Sequence, residues 1–237
     1  AIFTANNSSD FGGNSGWIIN HPISKNLYWI GGTGNWNDPS HWSASSGGTT
    51  SSCIPTLYDN VFFDVNSFFA NGQVMTINTT AYCKDMTWEN GVTNNPSMAG
   101  SSTLYISGSL TLTNNMYQNY YGSIYFNSGT SGNTITSAGK QLRNIYFDNV
   151  GGEWTLFDNL DIGSYTLYLD GGTLSTNSKA VNAGRLESTG SNFRALNLGS
   201  SDISLSYCTN DLNYGTVTLS FSGSNFMFNA GSSSIYF

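Results

Sequence analysis

Charged residues are scarce in this chain of 237 residues, at 9% against roughly 25% in an average soluble domain. Seven Lys and Arg stand against 14 Asp and Glu, so the formal net charge is −7. Such a shortage of cations argues against nucleic acid as a partner, because phosphate binding depends on Lys and Arg. It argues equally against a polybasic contact with anionic lipid. With 14% aromatic residues and 27 glycines, however, the chain is expected to fold.

Long hydrophobic runs are also missing. The apolar stretches, such as Val61–Phe63, are of strand length, whereas a membrane helix needs about 20 apolar residues. We therefore expect no membrane insertion. The chain opens at Ala1 without an initiator Met or a basic signal region, and we interpret it as a mature segment or an excised fragment of a secreted protein.

Cysteine and histidine are few, with three and two residues respectively. The three cysteines are too few for a disulfide scaffold, and no Cys/His cluster has the spacing of a zinc site. His21 and His41 both lie in turn-like contexts, so neither suggests a nucleophilic triad. No Lys-Ser or Lys-Thr follows the glycines at 31–34, which excludes a phosphate-binding loop.

Helix signals are nearly absent, and short alternating runs bounded by Gly, Asn and Ser recur instead. One pattern returns: an aliphatic residue, an aromatic, a second apolar residue and a small polar or acidic one. Its clear members, spaced by 20, 21 and 22 residues, are Leu104–Ser107, Ile124–Asn127, Ile145–Asp148 and Leu167–Asp170. Weaker members are Val61–Asp64, Met86–Trp88, Leu186–Ser188 and Leu205–Tyr207.

A period near 20 residues with several strands per period predicts an all-β fold, a right-handed parallel β-helix of roughly eight coils. Each coil would advance about 4.8 Å, and aligned Asn, Ser and Thr side chains would hydrogen-bond along the stack. An antiparallel sandwich would also contain many short strands, but its strand spacing of about 8–12 residues would not require an echo near 20.

The two N-terminal segments differ from the rest. We expect residues 1–24 to close a preceding repeat or to form an inter-module junction, residues 25–60 to be a Trp-rich cap, and residues 61–237 to be the β-helix with closing strands. Trp29, Trp36 and Trp42 favour an aromatic cap core, because an open coil end needs apolar cover. The alternative is an exposed platform on which these rings stack against sugars.

Three consecutive motifs resemble a known family. They are YWIGGTGNWNDPSHWSASSGG at 28–48, CIPTLYDNVFFDVNSF at 53–68 and VMTINTTAYCKDMTW at 74–88. In this order they are similar to repeats of the giant gliding-motility surface adhesins of Bacteroidota, which the type IX secretion system exports. A looser echo continues at 134–156 and 165–177. The resemblance implies an extracellular, noncatalytic repeat module whose partners are neighbouring copies in a tandem array or filament.

Catalysis finds little support in the residues. There is no Asp-Asp pair, and the three arginines include Arg143 and Arg185, with Asp148, Asp161 and Asp170 expected near them. We expect no enzyme. A carbohydrate-binding or polysaccharide-degrading β-helix, with surface polysaccharide as partner, stays as the alternative.

No cofactor is expected, with one open question. Asp38, Asp59 and Asp64 supply the oxygen ligands that Ca²⁺ prefers, although turn aspartates commonly cap their own backbone.

The cysteines predict a specific disulfide. Cys53 and Cys83 lie 30 residues apart, little more than one coil, so we predict a disulfide between them and a free, buried Cys208.

Overall fold

The computed structural model of the chain describes residues 2–6, 8, 15–51, 53–206 and 219–237. These residues form an all-β parallel solenoid of about seven turns, which confirms the predicted parallel β-helix with about one coil fewer than expected. A single short 3-10 helix, Pro39–His41, lies among the described residues.

Most strands are three or four residues long. The first thirteen are β1 (Phe3–Asn6), β2 (Trp17–Asn20), β3 (Asn26–Trp29), β4 (Gly34–Asn35), β5 (Trp42–Ser43), β6 (Asn60–Phe63), β7 (Val74–Ile77), β8 (Ala81–Cys83), β9 (Met86–Trp88), β10 (Ser97–Gly100), β11 (Leu104–Ile106), β12 (Leu110–Thr111) and β13 (Tyr117–Tyr120). The remaining twelve are β14 (Ile124–Phe126), β15 (Asn133–Thr136), β16 (Ile145–Leu156), β17 (Leu160–Asp161), β18 (Thr166–Ser175), β19 (Val181–Ala183), β20 (Arg185–Ser188), β21 (Arg194–Asn197), β22 (Asp202–Leu205), β23 (Leu219–Phe221), β24 (Phe226–Asn229) and β25 (Ser234–Tyr236).

The solenoid has three faces, which the chain visits in a fixed order. The first face contains β8, β11, β14, the first half of β16, the first half of β18, β20 and β23. The second contains β3, β6, β9, β12, β15, the second halves of β16 and β18, β21 and β24. The third contains β4, β7, β10 and β13 and then, beyond the irregular segment 137–144, β17, β19, β22 and β25.

Alternation of side chains decides what each face buries. In a strand such as β11, Leu104 and Ile106 point inward and are fully buried, while Tyr105 between them points outward. Parallel pairing in register stacks Leu104 on Ile124 and Ile106 on Phe126, so each inward position becomes an apolar column along the axis. A coil buries its inner residues only through its neighbours, which is why the repeat must be stacked.

Polar columns run along the outside, as the sequence predicts. Asn60 donates a hydrogen bond to Asn26 at 2.9 Å, and Asn149 donates to Asn127 at 3.0 Å. Coil corners also impose close approaches. At Gly100, where φ is +111°, a Cβ atom would lie 2.2 Å from the carbonyl oxygen of Ile77 on the preceding coil, so only glycine fits there.

The N-terminal end of the solenoid is closed by an aromatic cluster, as expected for a Trp-rich cap. β5 pairs antiparallel with β3 and covers its outer edge, at Trp42 opposite Trp29. The rings of Trp29 and Trp42 meet edge to face at 5.2 Å, and Phe63 stacks on Trp88 at 4.1 Å. Because β3 also pairs in parallel with β6, the ladder begins inside the segment predicted as the cap.

Three weaker members of the sequence column lie on other faces. Met86 lies in β9 and Val61 in β6, both on the second face, whereas the first-face strand of that coil is Ala81–Cys83. Leu205 ends β22 on the third face. Leu186 does continue the column, because it pairs with Leu167.

Candidate functional site

The three tryptophans considered as a sugar platform are core residues. Trp29, Trp36 and Trp42 are each no more than 1% exposed. Two of their indole N–H groups are also used internally, since Trp29 donates to the Gly32 carbonyl and Trp42 to the Trp36 carbonyl, at 2.7 and 2.8 Å. The rings therefore form the aromatic cap core that the sequence favoured, and the alternative of a sugar-stacking platform does not hold, because closing the coil end uses their faces for packing.

The three candidate calcium ligands do not converge. Asp38 accepts hydrogen bonds from Ser40, Asp59 accepts from Thr56, and Asp64 accepts from the backbone N–H two residues further on. Each carboxylate thus caps its own turn. Across the described ranges, no three His, Cys, Asp or Glu side chains come close enough to hold a metal ion. The proposed calcium site is not assembled by these aspartates.

The predicted disulfide is absent from the structure, where Cys53 and Cys83 are both free thiols. Cys83 is an inward residue of β8 and is fully buried, whereas Cys53 is exposed. The spacing of the two residues in the sequence did not show that Cys83 points into the core while Cys53 stays on the surface. Burial raises the pKa of Cys83 well above its ordinary value. Cys208 lies outside the described residues.

The longest ordered feature on the surface is a column of five tyrosines on the first face, here called the tyrosine ladder. Its members Tyr82, Tyr105, Tyr125, Tyr146 and Tyr168 occupy the same register position on successive coils. Successive ring centroids are 5.3, 5.0, 4.2 and 4.3 Å apart, and all four pairs are stacked. Four of the five stood in the repeated sequence motif, but their role as a continuous outer column was not inferred from it.

Stacking decides what the ladder offers to a ligand. Each interior ring uses both faces on its neighbours, so solvent meets ring edges and hydroxyl groups. Burial and the neighbouring phenols raise the pKa of Tyr146 above its ordinary value, so the Tyr146 hydroxyl stays protonated at neutral pH. Tyr82, the first member, has only one ladder neighbour and is partly exposed.

A groove borders the start of the ladder. Leu57, in the loop before β6, closes one side of it, and the Ser107 hydroxyl donates a hydrogen bond to the Leu57 carbonyl. Tyr82, Tyr105 and Asn127 complete a cavity of about 350 Å³. A second, more polar cavity shares Leu57, Ser107 and Asn127 and continues across the coil corner; its further lining includes Tyr58, Lys84, Thr130 and Asn149. We call the two together the Leu57 groove.

The two arginines that might have served catalysis are engaged in packing and ion-pair contacts. The Arg143 guanidinium lies between two rings, 4.1 Å from the Tyr121 centroid and 4.6 Å from that of Tyr165. Arg185 forms an ion pair with Glu187 at 2.6 Å. Both contacts are cross-coil or local packing interactions of ordinary strength.

Three aspartates that the sequence placed near these arginines fall into two environments. Asp161 accepts hydrogen bonds from Gln141 and Asn182, so it joins successive coils. Asp148 and Asp170 lie beside the ladder on adjacent coils. Burial raises the pKa of Asp148, and burial together with the Asp148 charge raises that of Asp170.

A buried arginine near the C-terminal end escaped the sequence analysis. Arg194 is completely buried, and its guanidinium donates to the carbonyls of Gly190, Ser222 and Ser224 at 2.7–3.2 Å. It thereby joins the corners of two successive coils. Only its inward position in the strand pattern of β21 could have signalled this role.

Comparison with protein-family models, with curated proteins and with solved structures finds no match for this chain. Within the described part of the chain, no helix has the length and hydropathy of a membrane span.

Proposed function

We propose that this chain is a noncatalytic repeat module of a bacterial cell-surface adhesin or extracellular filament. It would supply a stiff, protease-resistant rod for surface attachment or gliding motility. The observation that carries the proposal is the unbroken parallel ladder on the second face, from β3 through to β24. The motif resemblance at 28–88 supports the extracellular location and the adhesin family.

The solenoid is suited to act as a stiff spacer because its backbone is hydrogen-bonded between coils on three faces. Inter-coil hydrogen bonds run along the axis, and the apolar columns, tyrosine ladder and asparagine pairs all follow the same direction. Bending the rod would stretch several of these columns at once. A protease needs an extended, locally unfolded segment, and such openings are rare where the backbone is paired on both sides.

The noncatalytic part of the proposal draws on how the charged groups are used. Arg143 and Arg185 are held by aromatic rings and by Glu187, and Asp161 by side chains of neighbouring coils. These contacts are those of a structural wall. Neighbouring copies are the proposed partners, and secretion to the cell surface is the proposed location.

Surface labelling and limited proteolysis test the proposal together. Antibodies raised against the folded module should label intact cells that produce it, and the purified module should survive trypsin and proteinase K as a large fragment containing β3–β22. An intracellular location, or rapid cleavage within the solenoid at Lys84 or Lys140, would contradict the proposal. Specific turnover of a polysaccharide would contradict its noncatalytic part.

A second candidate, carbohydrate binding, is favoured by the Leu57 groove. Tyr82 has only one ladder neighbour, and Ser107 and Asn127 line the same cavity with hydroxyl and amide groups. Aromatic faces beside uncharged hydrogen-bonding groups suit a neutral sugar ring. A neutral oligosaccharide array distinguishes this candidate: binding should fall at least tenfold in Tyr82→Ala but not in Tyr117→Ala, which changes an exposed tyrosine of β13 on another face. Equal binding by both variants would remove the groove as the site.

A further inference from the structure

β1 and β2 form a unit without a supporting layer. They pair in parallel with each other, and within the described ranges neither pairs with another strand. Ile18 is about half exposed, as are Phe3 and Trp17, although the last two rings contact each other in a tilted arrangement with centroids 5.2 Å apart. A two-stranded sheet with its apolar residues in water is marginally stable at best. This pair therefore calls for a partner that covers it.

The pair reproduces the pattern of the last coil of the second face. β1 is FTAN, β2 is WIIN and β24 is FMFN, each with an aromatic residue three positions before an asparagine. Asn20 donates to Asn6 at 2.7 Å, and Asn229 donates to Asn197 at 2.6 Å. The β1–β2 pair is thus built like two coils of the second face.

The backbone pattern also agrees in direction. The Phe3 N–H donates to the carbonyl of Gly16, the residue before its partner Trp17. In the same way the Arg194 N–H donates to the carbonyl of Asn225, the residue before its partner Phe226. β1 is therefore paired to β2 in the same way as β21 is paired to β24, the equivalent strand of the next coil. If the second face continued beyond β24, β1 would be the next strand and β2 the one after it.

The C-terminal end of the solenoid leaves an edge that fits this pair. Each of β23, β24 and β25 has one strand partner among the described residues, on the preceding coil. Phe228, an inward position in register with buried Leu196, is 40% exposed, and no strand of the described ranges covers it. The N-terminal edge offers no equivalent place, since β5 already covers β3.

The pair cannot reach this edge within its own molecule. His21, the residue after β2, is held at the first coils, where its Nδ1 lies 3.1 Å from the Tyr58 hydroxyl and the two rings lie 5.5 Å apart. From β6, next to Tyr58, to β24 there are seven coil steps, or about 34 Å at about 4.8 Å each. Within one copy the pair and this edge therefore stay apart, and the shared aromatic and asparagine pattern of β1, β2 and β24 points to a second copy of the chain as the occupant of the edge.

We propose that the β1–β2 pair of one copy adds in parallel to the open C-terminal edge of a second copy, with β1 beside β24. Phe3 then covers Phe226, Ala5 covers Phe228, and Asn6 continues the Asn197–Asn229 ladder. This strand addition gives affinity through backbone hydrogen bonds and specificity through the aromatic and asparagine columns. Head-to-tail contacts of this kind do not close, so they extend into filaments. The inference rests on the proposed role as a rod-building module and identifies its partner surface.

Register-specific disulfide trapping tests it on the full chain. In a Cys53→Ser, Cys208→Ser background, Asn6→Cys with Asn229→Cys places two thiols on adjacent strands, within the Cα distance of about 4.4–6.8 Å that a disulfide needs. Mild oxidation should give a ladder of covalent dimers and larger species. Asn20→Cys with Asn229→Cys is the matched control, because β2 lies one strand further away and should give little product.

Sedimentation of the unmodified chain supplies the second readout, and its average mass should rise with concentration. Equal trapping by both cysteine pairs, or no trapping with a monomer at all concentrations, overturns the inference. A monomer that still labels the cell surface and resists protease would overturn only this contact. If the chain fails surface labelling and protease resistance but the Asn6→Cys, Asn229→Cys pair still forms the disulfide, the proposed function is wrong and the contact stands.

Discussion

Tyr125 and Tyr146 lie face to face on neighbouring coils, with ring centroids 4.2 Å apart and planes 3° from parallel. Tyr168 continues the stack at 4.3 Å. These spacings are slightly shorter than the coil rise of about 4.8 Å, so the rings tilt into contact while the backbone keeps its register. The ladder thus couples the register of one coil to that of the next from the outside of the wall, as the apolar columns do from the inside.

Removing an interior ring should weaken the stack on both sides. Because Tyr146 contacts Tyr125 and Tyr168, we expect Tyr146→Ala to lower the free energy of unfolding by about 1–3 kcal/mol. Tyr146→Phe keeps both stacking faces and should cost much less. Urea unfolding followed by circular dichroism measures both variants, and Tyr117→Ala is the control outside the ladder. Equal losses for Tyr146→Ala and Tyr117→Ala would mean that ring stacking contributes nothing of its own.

The free thiols predict unequal reactivity. Cys53 is exposed, whereas burial raises the pKa of Cys83 and hides its sulfur. Iodoacetamide should therefore modify Cys53 in the native protein and Cys83 only after unfolding, as read by mass spectrometry of the peptides. If neither thiol reacts in denaturant until a reductant is added, a Cys53–Cys83 bridge exists after all.

The solenoid was predictable from the sequence because one column, Leu104 to Leu167, repeats an inward–outward–inward pattern with an aromatic in the middle. The assignment of Met86 to that column failed for a physical reason. β9 lies on the neighbouring face and has the same alternation as β8, so a period alone cannot say which face a strand occupies. The register of strand pairing decides which face a strand occupies, and this register depends on the lengths of the corners, which vary from coil to coil.

The site features were less predictable. The tyrosines of the ladder were visible as a motif, but the direction in which an aromatic side chain points depends on its neighbours in the strand. Tyr105 points outward because it lies between two buried aliphatic residues, whereas Trp29 points inward and closes a coil end. The Leu57 groove depends on a loop that folds back onto Ser107, 50 residues away in sequence. No local pattern encodes such a contact.

Tryptophan fluorescence should separate one residue from the rest. Trp17 is 48% exposed, while the five other tryptophans are no more than 1% exposed. We expect acrylamide or iodide to quench a minor component of the emission, and Trp17→Phe should remove it, leaving a blue-shifted spectrum that resists quencher. A large quenchable fraction in Trp17→Phe would show that the aromatic cap is open in solution.

Arg194 should govern the stability of the last coils. Its planar guanidinium reaches three carbonyls on two corners, and Lys has a single ammonium that cannot span them. We expect Arg194→Lys to cost about 2 kcal/mol, with hydrogen exchange increased first in β23 and β24. Arg143→Lys is the matched control, because Arg143 lies between the exposed ring of Tyr121 and the half-buried ring of Tyr165, and its replacement should cost less than about 1 kcal/mol. Uniform exchange throughout the solenoid in Arg194→Lys would contradict a local role.

Asp148 predicts an unusual pH dependence. Its Oδ1 is buried with no hydrogen-bond partner among the described residues, and burial raises its pKa in the folded state. When the pKa of a carboxyl is higher in the folded than in the unfolded state, the protonated carboxyl favours folding. This contribution is complete below the unfolded-state pKa of about 3.9 and is lost as the pH rises through the folded-state pKa. Asp148→Asn imitates the protonated carboxyl. It should therefore be more stable than the parent protein at pH 7, with the difference shrinking as the pH falls to about 4 and vanishing below the unfolded pKa.

Asp38 provides the control with the opposite sign. Hydrogen bonds from the Ser40 hydroxyl and backbone N–H lower its pKa, so the ionised form favours folding above its unfolded pKa and that contribution is lost as the pH falls. Asp38→Asn should accordingly be less stable than the parent at pH 7 and should approach it in acid. Thermal unfolding of the three proteins between about pH 4 and pH 8 measures both trends. Curves for Asp148→Asn that run parallel to the parent at every pH would show that Asp148 ionises at its ordinary pKa and that its buried oxygen carries no penalty.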